Sequence, residues 1–407
     1  MPTAVFVAPF LLDATVRFID AAASLPGVQL ALVSQDPAEK LPQAVRAKLA
    51  ADWRIDDGTD AQQIADATRG LAARLGGVDR LVGMLEQLQV PLGEVRVALG
   101  IPGMSAEVAR NFRDKSRMKD VFAAHDVPCA RHGVATSAAQ ASSIAHQVGL
   151  PVVVKPPSGA GARSTFRVDV ADQLEGWLRV DPPTAAAPAL IEELVSGTEH
   201  SFDSVVIDGR VVWHSISSYL PTPLEVLENP WVQWAVLLPR SIEGPEYGAI
   251  RTAAARGLSA LGIDTGFTHM EWFRLREGRI ALSEVAARPP GAQFTSLLSY
   301  AHDTDMYTAW ARLEILGDFD PPQRRHAVGA AYLRGQGQGV VRGVHGLDVL
   351  QQELGALVVE ARLPSEGQRR SEGYEGEGYV ILRHADTEVV AAALRRVVEV
   401  ARVEMTG

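Results

Sequence analysis

Two acidic residues in the second half of the chain, Glu271 and Glu284, are spaced like opposed residues of a β-hairpin. Both lie in alternating apolar segments, and the Glu277-Gly278 pair between the segments is typical of a two-residue turn. Such a turn pairs positions whose numbers add up to 555, which places Glu271 opposite Glu284 with Cβ atoms about 4.5–5.5 Å apart. Their repulsion requires a cation, and oxygen ligands favour Mg²⁺ or Mn²⁺. A solvated face on an exposed hairpin is the alternative, and a one-residue slip would separate the pair.

Lysine is rare in the chain, since only five of its 39 basic residues are lysine. Lys155 ends the strand-like segment 151–155 and opens a loop rich in glycine and serine. Glycine lets backbone N–H groups approach a phosphate closely, and a lysine ammonium reaches phosphate oxygens as a compact charge. A lysine that only extends into solvent is the alternative for Lys155. Lys115 and Lys119 share one face of a predicted helix; we expect Lys119 to be solvated, and the role of Lys115 stays open.

The elements that must position these residues fall into distinct stretches. The first hundred residues alternate short apolar runs with amphipathic segments, which is typical of a parallel α/β layer. No G-x-G-x-x-G follows the first strand, and no P-loop motif occurs. The predicted elements are strands 4–7 and 29–33, a helix 15–23, further segments of the alternation at 80–84 and 95–99, helices 114–125, 138–148 and 388–400, and hairpins 201–207/211–217 and 268–275/279–286.

Composition excludes several classes of function. The net charge of −10 and the absence of a basic run longer than a pair argue against a nucleic-acid or anionic-membrane surface. The single cysteine, Cys129, excludes a disulfide framework within one chain. No apolar run approaches the roughly 18 residues of a membrane span, and the N-terminus lacks the basic region of a secretory signal. We therefore expect a cytoplasmic protein of two or three domains with no nucleic-acid or membrane partner.

Taken in order, the motifs resemble those of the ATP-grasp superfamily of carboxylate–amine (or carboxylate–thiol) ligases. Each motif is common by itself, but five in the family's order and spacing are specific. They are Asp114-Lys115 with Met118, Val153-Val154-Lys155-Pro156, Ile191-Glu192-Glu193-Leu194-Val195-x-Gly197-x-Glu199, His269-x-Glu271, and Glu284-x-x-x-Arg288-Pro289-x-Gly291. The Glu-x-Ala-Ala-Arg form looks closer to L-amino acid ligases and carnosine-synthase-like enzymes than to D-alanine–D-alanine ligases.

The resemblance implies an α/β protein with an ATP-grasp fold, in which two α+β subdomains clasp ATP. A Rossmann-like parallel α/β domain would precede this fold, and a small α+β domain would follow it. The implied domains are residues 1–112, residues 113–315 with a lid subdomain at about 130–192, and residues 316–407.

The resemblance also implies roles for individual residues. Lys115 and Lys155 would contact the phosphates of ATP, while Glu271 and Glu284 would hold Mg²⁺ (or Mn²⁺). Arg288 would stabilise the acyl phosphate and the tetrahedral intermediate. The remaining implied contacts are the phosphate loop with Ser158, Gly159, Gly161 and Ser164, the adenine site with Glu192, Glu193, Leu194 and Val195, and the ribose ligand Glu199.

The implied enzyme is an ATP-dependent carboxylate–amine ligase. It would activate a small carboxylate as an acyl phosphate and join it to an amine, such as an amino acid, releasing ADP and phosphate. One alternative is a biotin-carboxylase-like or purine-pathway enzyme that activates bicarbonate or formate. Another is a non-catalytic ATP-binding regulatory protein, which is consistent with Ala286 where many members carry a metal-binding asparagine. The sequence names neither substrate and leaves a homodimer open. His200, His214 and His269 are expected mainly to pack or to form hydrogen bonds, whereas for Trp231 and Trp234 a substrate contact and a core position are equally open.

Overall fold

The N-terminal segment forms a parallel four-stranded sheet in the computed structural model of the chain, which describes residues 1–158, 165–229 and 232–407. The strand order is β3-β2-β1-β4, with helices packed against the sheet. Its elements are β1 Thr3–Val7, α1 Asp13–Ala23, β2 Gln29–Ser34, α2 Gln43–Arg46, β3 Ala51–Arg54, α3 Ala61–Leu75, β4 Arg80–Val82, α4 Gln89–Leu99 and α5 Ala106–Arg113. The predicted parallel α/β layer is confirmed, and residues 95–99 end helix α4.

The next segment, residues 115–193, begins with helix α6 and forms a small antiparallel sheet of four strands. The elements are α6 Lys115–Ala124, β5 His132–Ala135, α7 Ala138–Val148, β6 Val152–Lys155, β7 Phe166–Val168, α8 Ala171–Val180 and β8 Ala189–Glu193. The strand order is β5-β8-β6-β7. Asp114 is the N-cap of α6, because its carboxylate accepts hydrogen bonds from two backbone N–H groups of the first turn. Gly159, Gly161 and Ser164 lie outside the described residues.

An eight-stranded sheet forms the centre of the molecule, with the order β13-β12-β9-β10-β11-β14-β18-β17. The elements up to α12 are β9 Gly197–Ile207, β10 Arg210–Leu220, α9 Pro223–Glu228, β11 Ala235–Leu238, α10 Gly248–Leu261, β12 Gly266–Leu275, β13 Ile280–Ala286, α11 Phe294–His302 and α12 Met306–Leu316. The C-terminal elements are β14 Ala327–Leu333, β15 Gly335–Gln336, β16 Val341–His345, α13 Leu347–Leu354, β17 Val358–Arg362, β18 Gly378–His384, α14 Thr387–Val400 and β19 Arg402–Met405.

The central sheet crosses the predicted boundary between residues 315 and 316, because β14 pairs with β11 on one side and with β18 on the other. A separate three-stranded sheet, β15-β19-β16, lies in the C-terminal segment. The division into three domains stays a prediction. No helix in the described part of the chain has the length and apolar character needed to cross a bilayer.

The hairpin of β12 and β13 places Glu271 opposite Glu284, as predicted, although the turn and the register next to it differ from the prediction. The turn holds three residues, 276–278, and Gly278 adopts a positive φ of 75°. The numbers of paired residues next to the turn therefore add up to 554, as for Trp272 and Leu282. A β-bulge then leaves Ser283 without an opposite residue and restores the predicted register at the two glutamates.

Glu360 of β17 connects the N-terminal layer to the central sheet. Its carboxylate accepts hydrogen bonds from Arg17 of α1 at 2.8 Å, Tyr300 of α11 at 3.0 Å and Tyr379 of β18 at 2.7 Å. We expect Glu360→Ala to lower the free energy of unfolding by about 2 kcal/mol, because hydrogen bonds to a charged group contribute about 1.5–3 kcal/mol. Urea denaturation measures this change. The control Glu353→Ala removes an exposed pair with Arg396 and should leave the midpoint nearly unchanged; equal shifts would contradict the prediction.

Candidate active site

A cleft of about 530 Å³ lies between the small antiparallel sheet and the central sheet. This volume falls within the range of about 300–1,000 Å³ that is typical of small-molecule sites. The cleft is lined by three of the five lysines, by the strand-to-strand connection after β8, and by five buried or half-buried glutamates. These residues are Lys115, Lys119, Lys155, Glu192, Glu193, Leu194, Val195, Glu199, Glu271 and Glu284. Most of the residues predicted for the site are therefore brought together.

The opposed glutamates differ in their environments. Lys115 Nζ lies 3.0 Å from Glu284 Oε2, whereas Glu271 Oε1 accepts a hydrogen bond from the hydroxyl of Tyr219 at 3.4 Å. Burial and the charge of Glu284 raise the pKa of Glu271 to about 7. Burial would also raise the pKa of Glu284, but Lys115 and Lys155 outweigh it and the pKa is lowered. Glu284 is thus held ionised, whereas the carboxyl group of Glu271 changes between its protonated and ionised forms near neutral pH.

Lys119 is buried, so the prediction that it is solvated is wrong. Its side chain is 1% exposed, and its Nζ lies 3.1 Å from Glu192 Oε2. The other carboxylate oxygen of Glu192 pairs with Lys155. Burial would raise the pKa of Glu192, but the two lysines lower it to about 2. The four-residue spacing between Lys115 and Lys119 could have indicated this burial, because it places both lysines on the face of α6 that meets the cleft.

The β-bulge in β13 contributes to the same cluster. The backbone carbonyl of Ser283, which has no opposite residue in the hairpin, accepts a hydrogen bond from Lys119 Nζ at 3.1 Å. At the start of α6, the backbone N–H of Lys115 donates to the carbonyl of Pro157, which follows β6, at 2.8 Å. Helix α6 is therefore fixed to both sheets that border the cleft.

Arg288 does not line the described cleft. One end of its guanidinium donates to the carbonyl of Pro289 at 2.9 Å, and the other donates to Glu86 at 3.1 Å. Ser158 is exposed and also does not line the cleft. Glu86 was missed by the sequence reasoning, since it lies in a loop of the N-terminal layer that carried no motif.

A second group of polar side chains lies behind the opposed glutamates. His269 Nδ1 lies 2.6 Å from Asp203 Oδ1, and His269 Nε2 lies 3.9 Å from Glu271 Oε1. His214 stacks on a phenylalanine ring, His200 stacks on Trp272, and Trp234 is 1% exposed among other aromatic rings. Packing or hydrogen bonding is what the sequence predicted for the histidines, whereas for Trp234 it left a core position and a substrate contact equally open. Trp231 lies outside the described residues.

The chemistry of the donors fits a hard divalent cation. Glu271 and Glu284 offer carboxylate oxygens side by side, which Mg²⁺ prefers over nitrogen or sulfur ligands. Within the described ranges, no group of three or more His, Cys, Asp or Glu side chains is placed to hold a metal ion. Two carboxylates that share an ion with substrate phosphates are the usual arrangement for Mg²⁺.

Comparison with known sequences gives distant relatives. No family model matches the chain. An L-arginine-specific L-amino acid ligase of Bacillus subtilis is 23% identical over 273 residues, which cover 65% of this chain and 64% of that protein. An uncharacterized protein of Sinorhizobium fredii is 26% identical over 284 residues, which cover 66% of this chain and 58% of that protein. The chain therefore spans about 60% of the length of these curated relatives.

Solved structures match over the whole chain. The L-amino acid ligase from Bacillus licheniformis superposes with a TM-score of 0.79 at 18% identity, covering 100% of this chain and 99% of that one. The chain has the ATP-grasp fold. A second ATP-grasp neighbour, carboxyaminoimidazole ribonucleotide synthase of Aspergillus clavatus complexed with ATP, has a TM-score of 0.71 at 16% identity and covers 98% of each chain. The resemblance drawn from the motifs is confirmed for the fold, while the roles of single residues stay predictions.

Proposed function

We propose that this ATP-grasp protein is an ATP-dependent carboxylate–amine ligase. It activates a small carboxylate as an acyl phosphate and joins it to an amine, such as an amino acid, with release of ADP and phosphate. The observation that carries the proposal is the pair of opposed carboxylates, Glu271 and Glu284, in one cleft with Lys115 and Lys155. The sequence relative and the structural neighbour that are L-amino acid ligases support the same reaction class.

The cleft offers a suitable environment for each part of ATP. Lys115 and Lys155 bring two positive charges for the phosphates, and the segment from Glu192 to Val195 offers backbone groups for adenine. Glu199 is 6% exposed, and its side chain makes no hydrogen bond or ion pair within the described part of the chain. Burial and the charges of Glu271 and Glu284 raise its pKa well above the usual range. A raised pKa favours the protonated carboxyl group, which can both donate to and accept from a ribose diol.

The reaction requires these groups because a carboxylate has a poor leaving group. Transfer of the γ-phosphoryl group makes phosphate the leaving group, and the protein must stabilise the charge that develops during transfer. Mg²⁺ held by Glu271 and Glu284 would supply Lewis-acid neutralisation of the phosphate oxygens. The guanidinium of Arg288 would stabilise the negative charge on the acyl phosphate and on the tetrahedral intermediate that follows amine attack.

A screen of ADP release tests the proposal. The purified protein is incubated with ATP and Mg²⁺ together with pairs of amino acids, with bicarbonate, or with formate. ADP release that requires both a carboxylate and an amine is the expected result. Turnover with bicarbonate alone would overturn it in favour of a carboxylating enzyme. ATP binding without turnover of any acceptor would favour a non-catalytic regulatory protein.

The raised pKa of Glu271 predicts how stability depends on pH without metal. A carboxyl group whose pKa is about 7 in the folded state and about 4.5 in the unfolded state stabilises the protein most at low pH. Its contribution is lost as the pH rises from about 4.5 through about 7. We therefore expect the melting temperature in EDTA to fall between pH 6 and pH 8, and Mg²⁺ to raise it more at pH 8.

The variant Glu271→Gln isolates this effect. His269 titrates in the same direction, because Asp203 raises its pKa despite burial, so part of the pH dependence will remain in the variant. The difference between the wild-type and variant curves reports on Glu271 together with its effect on the pKa values of His269 and Glu199. An equal Mg²⁺-induced shift at pH 6 and pH 8 would contradict the prediction.

A further inference from the structure

Glu86 connects the N-terminal layer to Arg288. It begins the short helical turn Glu86–Leu88 between β4 and α4, and it is 202 residues away from Arg288 in sequence. Glu86 Oε2 lies 3.1 Å from Arg288 Nη2, while Glu86 Oε1 lies 2.9 Å from Arg113 Nη1. The Glu86 side chain is 10% exposed. One largely buried carboxylate thus joins two arginines from different segments of the chain.

The hydrogen bonds of Arg288 restrict how its guanidinium can turn. Nη2 donates to Glu86, and Nη1 donates to the carbonyl of Pro289, so two directions in the plane of the group are fixed. Arginine has five N–H donors in a rigid plane, so further donors remain for a ligand once this plane is set. Without Glu86, the bond to the adjacent residue Pro289 would be the one side-chain hydrogen bond left to the guanidinium within the described part of the chain.

The charges favour the same role. Arg113 and Arg288 would repel each other if no anion lay between them, and Glu86 neutralises one of the two charges. A net positive charge therefore remains in the group of three.

We propose that Glu86 is a positioning residue, which holds the guanidinium of Arg288 in the orientation that the reaction needs. The inference rests on the proposed function, in which Arg288 stabilises the acyl phosphate and the tetrahedral intermediate. Glu86 is not among the residues that line the described cleft, so it would act through Arg288. The N-terminal layer thereby contributes to the reaction through a single carboxylate from the loop after β4.

Steady-state kinetics of Glu86→Gln test this role. Gln keeps the size of the side chain but removes the charge and one of the two acceptor oxygens. We expect kcat for ADP release to fall about 10–100-fold, by analogy with the loss of an outer-shell partner that orients a metal ligand. The KM for ATP should change less than about twofold, because Glu86 makes no contact in the nucleotide cleft.

The matched control is Glu94→Gln, the same substitution in the same layer. Glu94 pairs with Arg110 at 2.6 Å on the surface, where both side chains are more than 40% exposed. We expect it to keep the wild-type kcat. A purely structural role for Glu86 would instead lower the melting temperature and leave kcat of the folded protein unchanged.

A double-mutant cycle completes the test. If Glu86 acts only through Arg288, then adding Glu86→Gln to Arg288→Lys should lower kcat by less than about twofold. Additive effects, or a wild-type kcat in Glu86→Gln, would overturn the inference while leaving the ligase proposal intact. Absence of ADP release by the wild-type protein with every acceptor would overturn the proposed function, and the inference would fall with it.

Discussion

Glu284→Gln should reduce ADP formation at least about a thousandfold in the presence of Mg²⁺ and an active substrate pair. The ionised form of Glu284 is the one that Lys115 and Lys155 favour, so this carboxylate is charged whenever ATP binds near neutral pH. A neutral amide is a weak ligand for Mg²⁺, and the variant loses several kcal/mol of charge stabilisation at the transferring phosphoryl group. Each 1.4 kcal/mol of that loss lowers the rate about tenfold.

A coupled assay for ADP measures the effect, and calorimetry shows whether nucleotide still binds. We expect ATP to bind to Glu284→Gln with a smaller dependence on Mg²⁺ concentration, because one of the two opposed carboxylates is gone. Glu353→Gln, which changes an exposed carboxylate in the C-terminal segment, is the control and should retain wild-type turnover. Wild-type ADP formation by Glu284→Gln would show that the opposed glutamates are not a metal site.

The opposed glutamates show how far the sequence can predict the site. Alternation and a Glu-Gly turn signal were enough to predict that Glu271 and Glu284 face each other. The predicted route was wrong in two places, since the turn has three residues and a bulge occurs at Ser283. The two deviations shift the register in opposite directions and cancel. Nothing local in the sequence indicates the bulge, because its carbonyl is used by Lys119, which is distant along the chain.

The environments of Lys119 and Glu86 could not be predicted from the sequence. Helical spacing shows that Lys115 and Lys119 share a face, but a lysine at the surface and a buried lysine have the same local pattern. The difference depends on Glu192, which a different strand brings to Lys119. Glu86 reaches Arg288 across 202 residues, and only the packing of the N-terminal layer on the central sheet brings them together. Motifs predicted the groups with chemical roles, whereas the charges that hold these groups came only from the structure.

Glu192→Gln should be the most destabilising single substitution in the cleft in the absence of nucleotide. Glu192 is the carboxylate shared by Lys119 and Lys155, and it is 7% exposed. Breaking a buried ion pair by removing one partner costs about 3–5 kcal/mol, because the remaining charge is buried without compensation. Here two ammonium groups lose their carboxylate, and among the described residues Lys119 Nζ keeps the carbonyl of Ser283 as its hydrogen-bond partner. We expect the free energy of unfolding to fall by about 3–5 kcal/mol in urea denaturation.

Glu193→Gln is the matched control for this prediction. It makes the same change one residue later, where the carboxylate forms an exposed pair with Arg131 at 3.0 Å. An exposed pair contributes little, so we expect a change within about 0.5 kcal/mol. The pKa of Glu192, about 2, adds a second signature: its contribution to stability is present above about pH 4.5 and is lost as the pH falls towards 2. Glu192→Gln should therefore be less sensitive to acid than the wild type, whereas equal losses of stability in the two variants would show that the lysines do not depend on Glu192.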